Sequence, residues 1–376
     1  MGSAPIPAAL VEQGEWFMRV CNACRYCEGY CAVFPALERR LTFAEGDLTY
    51  LANLCHNCGS CYDACQYAPP HEFDLNFPRL LAAIRGASYR TYAWPGFLSG
   101  MFVRNGLAMS LVAAASLALV LVAISAWASP AVVLSAHSLR AGAFYAVVSH
   151  DAMVVPFAAV SLFVLGAFGV GLARFWRDTG EPLGALATVA AWRRAIMDVA
   201  RLTNLDGGGE GCIHPDEPPS RARRWFHHVT FYGFVLCFAS TTVAAIYDAV
   251  LGWPAPYAFR SVPVVLGTAG GLGLLVGPLG QLWLKRRRNH VLSDPAQDGM
   301  DLGFLVLLFL TSLTGLLLLG FRETRAMGVL LAAHLGLVLA LFLTMPYGKF
   351  AHAVYRSAAL LKFAIEDARP APKFGE

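Results

Sequence analysis

Six apolar runs, each near twenty residues long, recur after about residue 105 and restrict the fold more than any other feature of the chain. They lie near 106–128, 149–174, 227–250, 262–284, 301–320 and 327–347. At a rise of about 1.5 Å per residue, each is long enough to cross about 30 Å of hydrocarbon as a helix. A helix also satisfies every backbone polar group internally, which hydrocarbon demands. A composition of 57% hydrophobic and 14% charged residues excludes an ordinary soluble domain. Residues 1–95 differ, mixing charge, cysteine and proline as a small soluble domain does. The expected fold is therefore mainly α: a small N-terminal domain over 1–95, then a six-helix transmembrane bundle over 96–376 with a cytoplasmic connection near 175–224.

The basic residues report orientation. The connection from Gly171 to Arg224 holds eight Lys/Arg, Lys285 to Arg288 holds four and the tail from Lys349 holds five, against Arg140, Arg260, Arg322 and Arg325 on the opposite side. Seventeen against four predicts both termini in the cytoplasm by the positive-inside rule. Met1 to Glu15 lacks a basic n-region and an apolar h-region, so no secretory signal is expected. The expected location is a bacterial inner membrane, with the bilayer as one partner. The basic residues flank the apolar runs and form no aromatic-interleaved patch, which argues against nucleic acid.

Within the connection, Ala185 to Leu202 reads as a helix lying on the membrane surface or packed under the N-terminal domain. The glycine-rich Leu205 to Cys212 stretch has no strand before it and is no dinucleotide loop. Gly166-x-x-Gly169-x-Gly171 and Gly267-x-x-x-Gly271 lie inside apolar runs, where small residues allow close helix packing. With no flavin or nicotinamide site in the chain, such a cofactor is expected on a partner.

Cys21-x-x-Cys24-x-x-Cys27-x-x-x-Cys31 is repeated as Cys55-x-x-Cys58-x-x-Cys61-x-x-x-Cys65, with 34 residues between equivalent positions. In ferredoxin-type runs three close thiolates wrap one cubane and the fourth reaches the other. This predicts two [4Fe-4S] clusters, one on Cys21, Cys24, Cys27 and Cys65, the other on Cys55, Cys58, Cys61 and Cys31. Structural zinc fits three successive x-x spacings poorly, and disulfides require an oxidising compartment. Pro35 and Pro69 follow the fourth cysteines by four residues rather than immediately. Cys212 and Cys237 read as unliganded thiols, and His56 as a surface or supporting residue because its run already supplies sulfur ligands.

Polar side chains within membrane spans are costly, which singles out His150, His227, His228, His334 and His352. His334 and His352 are 18 residues apart. On one ideal helix that is five turns, a shared face about 27 Å long. Depth pairs His150 with His334 on the outer side, and the His227-His228 doublet with His352 on the inner side, the deeper His228 being preferred. Histidine is the common axial ligand of haem, and no C-x-x-C-H occurs, so one or two b-type haems are expected. Asp294, Asp298 and Asp301 read as solvated loop charge in preference to proton carriers.

Cys24-Arg-Tyr-Cys27-Glu-Gly-Tyr-Cys31, Leu54-Cys-His-Asn-Cys58-Gly-Ser-Cys61, Arg224-Trp-Phe-His-His-Val-Thr-Phe-Tyr-Gly233 and Met345-Pro-Tyr-Gly-Lys-Phe-Ala-His352 together resemble the tricarballylate utilization protein B family over nearly the whole chain. The resemblance implies a membrane subunit that reoxidises the FAD of a separate cytoplasmic dehydrogenase, tricarballylate dehydrogenase-like, and delivers electrons to quinone. The His334 to His352 region is similar, more distantly, to the haem subunit of membrane nitrate reductase. Two other readings are an anchor of a heterodisulfide- or nitrate-reductase-like complex and a non-enzymatic iron–sulfur redox sensor coupled to a channel. The second is disfavoured by the scarcity of carboxylates in the spans.

Overall fold

The computed structural model describes residues 5–137, 142–209, 211–214 and 217–370. Arg140 and Lys373 of the charge census, and the side chain of Cys212, lie outside what is described.

The N-terminal region is built from helices α1 (Ala8–Cys24), α2 (Val33–Glu38), α3 (Glu45–Leu54), α4 (Ser60–Asp63) and α5 (Phe77–Tyr92). No strand occurs among its described residues, so its ferredoxin character resides in cysteine spacing, not in a sheet. Local signals set the helix starts: the Ala44 N–H donates to Asp47 at the head of α3, and Asn76 caps α5 by accepting from the Arg79 N–H. Along α5, Leu80, Leu81, Ile84 and Ala87 recur at helical spacing. They pack with Met18, Leu48 and Leu51 into a core from which water is excluded.

Six helices are long and apolar enough to cross a membrane: Asn105–Trp127, His150–Asp178, Ala222–Ala249, Val262–Arg287, Pro295–Phe321 and Met327–Tyr347. They contain α6 (Asn105–Trp127), α8 (His150–Asp178), α10 (Ala222–Ala249), α11 (Val262–Arg287), α12 (Asp298–Phe321) and α13 (Met327–Thr344), while α7 (Pro130–Val133) is a single turn in a connection. In space α10 packs on α11, α11 on α12, and α12 and α6 on α13, with α8 against the other side of α13. Small residues allow the closest approach. A Cβ on Gly270 would lie 2.7 Å from the Gly233 carbonyl oxygen, and one on Gly277 2.3 Å from Thr230 Oγ1. The seam thus uses α11 glycines beside the expected Gly267 and Gly271. The α8 pattern behaves otherwise, because Gly166 and Gly169 have nothing within 4 Å of an added Cβ and only Gly171 is crowded.

Two helices outside the spans tie the halves together. Helix α9 (Val189–Arg201) buries Ala191 and Ala195 against Leu361, Ala364 and Ile365 of α14 (Ala351–Asp367). Helix α14 also packs on α3 and α8. From it Glu366 accepts from Tyr50 Oη at 3.0 Å and pairs with Arg40 at 2.5 Å. The join between α13 and α14 corrects one expectation. A tight turn at Met345–Tyr347, where Pro346 supplies no N–H, leads to an extended Gly348 at φ −131° and ψ −166°. His334 and His352 therefore stand on separate helices, not on one shared face.

Candidate redox site

The two cysteine runs differ in local structure despite identical spacing. Cys21 and Cys24 ride the last turn of α1, which Arg25 ends in the left-handed conformation at φ 55°. Cys55 and Cys58 instead sit in the loop between α3 and α4, which turns through a left-handed Asn57 at φ 55°. Gly59 caps α4 at φ 97°, and a Cβ there would also meet Leu292 at 2.8 Å. Cys21 has Cys65, Cys27 and Cys24 as its thiol neighbours, whereas Cys31 has Cys58 and Cys55. Cys61 joins the second group through Cys58, Cys55 and Cys31 and also neighbours Cys27 of the first. Burial, and then these neighbours, push the thiols of Cys21, Cys31 and Cys61 far above the ordinary range and that of Cys27 up to about 12. Thiolates so crowded are disfavoured without positive charge among them, which iron supplies. The donor set fits iron–sulfur clusters.

The loop carries His56 inward. Its ring centroid lies 5.6 Å from that of His227 on α10 and 5.6 Å from that of His352 on α14. Ring nitrogens of all three come within 4.8 Å of one another. The Nδ1 atoms of His227 and His352 are buried without a hydrogen-bond partner. Burial, followed by Arg356 for His56 and Arg85 for His352, holds both imidazoles well below their usual pKa and hence neutral, the form that offers a lone pair to a metal. The trio borders a cavity of about 400 Å³, within the usual range for cofactor sites. Phe231, Phe234, Phe304 and Phe350 form apolar walls, and Arg223, Lys285, Arg288 and Lys349 share the polar part of the lining with Asp294, Asp298 and Asp301. These residues fit a b-type haem.

The remaining expected histidines stand elsewhere. His227, not the deeper His228, turns to the trio; His228 packs beside Tyr232 with ring centroids 5.8 Å apart. His150 is not presented to His334. Its Nε2 lies 2.7 Å from Asp248 and its Nδ1 3.0 Å from Asp151, so both nitrogens face carboxylates. His334 packs against Gly315 of α12, and its Nδ1 lies 3.1 Å from the Thr311 carbonyl oxygen and 3.2 Å from Thr314 Oγ1. The outer pair expected from depth is thus not assembled, because similar depth on two helices does not set their rotation. Cys237 has no disulfide partner and packs close to Gly270.

Several residues of the site went unread in the sequence. Asp301 is no solvated loop charge: it lines the cavity and pairs with Lys285 at 2.8 Å and Lys349 at 2.7 Å. Asp298 shares Lys285 at 2.7 Å. Four arginines close on the loop around His56. Arg356 donates to the Leu54 carbonyl, Arg85 to that of Cys55 at 2.6 Å, Arg223 to those of His56 at 3.0 Å and Asn57 at 2.7 Å, and Arg288 to that of Asn57 at 2.7 Å. Only Arg223, next to the Arg224-to-Gly233 stretch, had a signal nearby.

The citrate utilization protein B family model matches residues 102–373, and that of its Fer4-like domain residues 15–91. The chain is 49% identical over 364 residues to citrate utilization protein B of Escherichia coli, covering 96% of this chain and 93% of that protein. No solved structure matches. An iron–sulfur domain of Fer4 type joined to six helices apolar enough to span a membrane, with both family models matched in order, leads to one assignment: the chain belongs to the citrate utilization protein B family.

Proposed function

We propose that this chain is the membrane electron-transfer subunit that reoxidises a cytoplasmic FAD-dependent dehydrogenase, tricarballylate dehydrogenase-like, and passes the electrons to the quinone pool. Cys21, Cys24, Cys27 and Cys65 would hold one [4Fe-4S] cluster and Cys55, Cys58, Cys61 and Cys31 another, His227 and His352 would ligate a b-type haem, and these groups would supply the one-electron carriers that a two-electron flavin needs. The observation that carries this reading is the place of His56. It sits in sequence between two cluster cysteines, and in space its ring meets those of His227 and His352 at centroid distances of 5.6 Å. The cysteine domain and the membrane helices therefore share one wall.

The chain's own residues have separable tasks. His227 and His352 offer lone pairs from two different helices; Lys285 and Lys349 balance Asp298 and Asp301 at the wall, Arg223 and Arg288 hold the loop that carries His56, and the four phenylalanines keep bulk water away. Asp301, which lines the cavity with Asp294 and Asp298, is held between Lys285 and Lys349 and fixes those two lysines at the wall. Purified protein is expected to hold about eight irons in clusters and to show a reducible b-type Soret band. His227→Ala and His352→Ala abolish that band and His228→Ala retains it. A wild-type protein without haem sinks the relay, and proteoliposomes in which reduced flavoprotein does not drive quinone reduction sink the proposed acceptor.

A further inference from the structure

The four carbonyls of Leu54, Cys55, His56 and Asn57 are consecutive, and each accepts from a guanidinium. The donors come from four different helices or helix ends: Arg356 on α14, Arg85 on α5, Arg223 on α10 and Arg288 just past α11. Arg85 and Arg356 are 3% and 6% exposed. Charges buried this deeply are retained only where something negative repays the lost hydration. Here the groups that would become negative as cluster ligands are the sulfurs of Cys55, Cys31 and Cys58, the favourable electrostatic neighbours of Arg356.

The clamp also orients dipoles. With the carbonyls drawn outward, the Asn57 N–H is left pointing at Cys55 Sγ, 3.2 Å away. Positive charge and N–H donors near the sulfurs both stabilise the electron-rich state of an iron–sulfur group. The Cys21, Cys24, Cys27 and Cys65 group has no matching set among the described residues. Its neighbouring arginine, Arg25, is exposed and donates to the Asn22 carbonyl at 3.0 Å, and Cys24 Sγ receives only the Gln66 amide at 3.7 Å.

Building on the two-cluster reading above, we infer that Arg85, Arg223, Arg288 and Arg356 are positioning residues that raise the reduction potential of the Cys31, Cys55, Cys58 and Cys61 site above that of the Cys21, Cys24, Cys27 and Cys65 site. The asymmetry gives the pair a direction. An electron would rest preferentially on the clamped site, whose run carries His56 of the histidine trio, over the outer one formed by Cys21, Cys24, Cys27 and Cys65.

Potentiometric titration of the purified full-length protein, followed by low-temperature electron paramagnetic resonance, tests this. Wild type is expected to show two cluster signals of different midpoint, and Cys24→Ser, which alters the outer site, is expected to perturb the lower one. Arg288→Gln and Arg223→Gln lower the upper midpoint, so that the reduced-to-oxidised ratio at a fixed potential falls roughly tenfold, about 59 mV for a one-electron couple. The lower midpoint stays in place as an internal control. Arg223→Lys, which keeps the charge, recovers most of the shift. If Cys24→Ser perturbs the upper signal, or the glutamine variants leave both midpoints unmoved, the inference fails while the cluster count stands. One cluster per chain in wild type overturns both. The Cys24→Ser comparison holds even where an arginine variant does not fold.

Discussion

Tyr50 shows at residue scale how the cysteine domain is locked to the C-terminal helix. Its hydroxyl donates to Glu366, Arg40 stacks over its ring at 4.9 Å, and Lys362 approaches the ring at 4.8 Å. Burial first, then the Glu366 carboxylate, hold its phenol well above the usual value of 10.0. In the unfolded chain the phenol ionises near 10, whereas in the folded chain it stays neutral, so its contribution is fully present below pH 10 and lost as pH rises further. Thermal melts in detergent are expected to hold steady up to about pH 9 and to fall steeply above about pH 10, more gently in Tyr50→Phe. At neutral pH that variant costs about 1 kcal/mol, because Glu366 keeps Arg40 when the hydroxyl is removed. Little of this was legible in the sequence, as Tyr50 and Glu366 are 316 residues apart. The same limit hid the arginine clamp, in which Arg356 reaches back 302 residues to Leu54, and made His56 read as a supporting residue. By contrast the cysteine groups were legible, since sulfur ligands at tight spacing leave few geometries open.

Helices were legible in proportion to how far one dimension decides them. All six spans were readable because hydrocarbon thickness fixes length and hydrophobicity together. Which face meets which neighbour was not, and the glycines show why. Gly277 presses on Thr230, with an added Cβ 2.3 Å from Oγ1 and 2.7 Å from the backbone nitrogen, whereas Gly166 meets open space. Gly277→Ala is therefore expected to destabilise the protein by about 1–3 kcal/mol through overpacking, and Gly166→Ala to be neutral or slightly stabilising in a helix; denaturant titration in detergent separates them. Helix α9 sets its alanines on α14, where the sequence expectation had the N-terminal domain or the membrane surface, and leaves another side apolar and bare. Val189, Trp192 and Ile196 are 79%, 43% and 61% exposed. A helix with one face docked and the other apolar beside Arg193 suits the headgroup boundary. A nitroxide on Ile196→Cys in proteoliposomes is expected to collide more with oxygen than with a water-soluble nickel chelate, and equal or reversed accessibility removes α9 from the lipid.

For the whole molecule the open question is direction across the membrane, and the fold constrains it more than the charge census alone. Both the cysteine domain and the C-terminal α14 lie at one end of the bundle, joined by the Tyr50, Arg40 and Glu366 contacts, so they share a side whichever side it is. At that end stand Lys285, Arg288, Lys349 and Arg356, each engaged with carboxylates or with the cysteine loop. At the other end the structure accounts for part of the opposing charge. Arg322 is only 4% exposed, lies over the Phe259 ring at 3.9 Å and donates to the Tyr257 carbonyl, so it closes a connection and does not face solvent. The positive-inside rule counts Lys and Arg whether or not they are paired, so the proposed cytoplasmic cysteine domain rests on the seventeen-to-four census. The proposed soluble flavoprotein donor would require that side as well. In intact cells Glu323→Cys is expected to react with a membrane-impermeant maleimide, while His290→Cys reacts only after lysis. The opposite pattern would expose the cysteine runs outside the cell, where disulfide formation competes with cluster assembly, and would leave the proposed cytoplasmic donor without access.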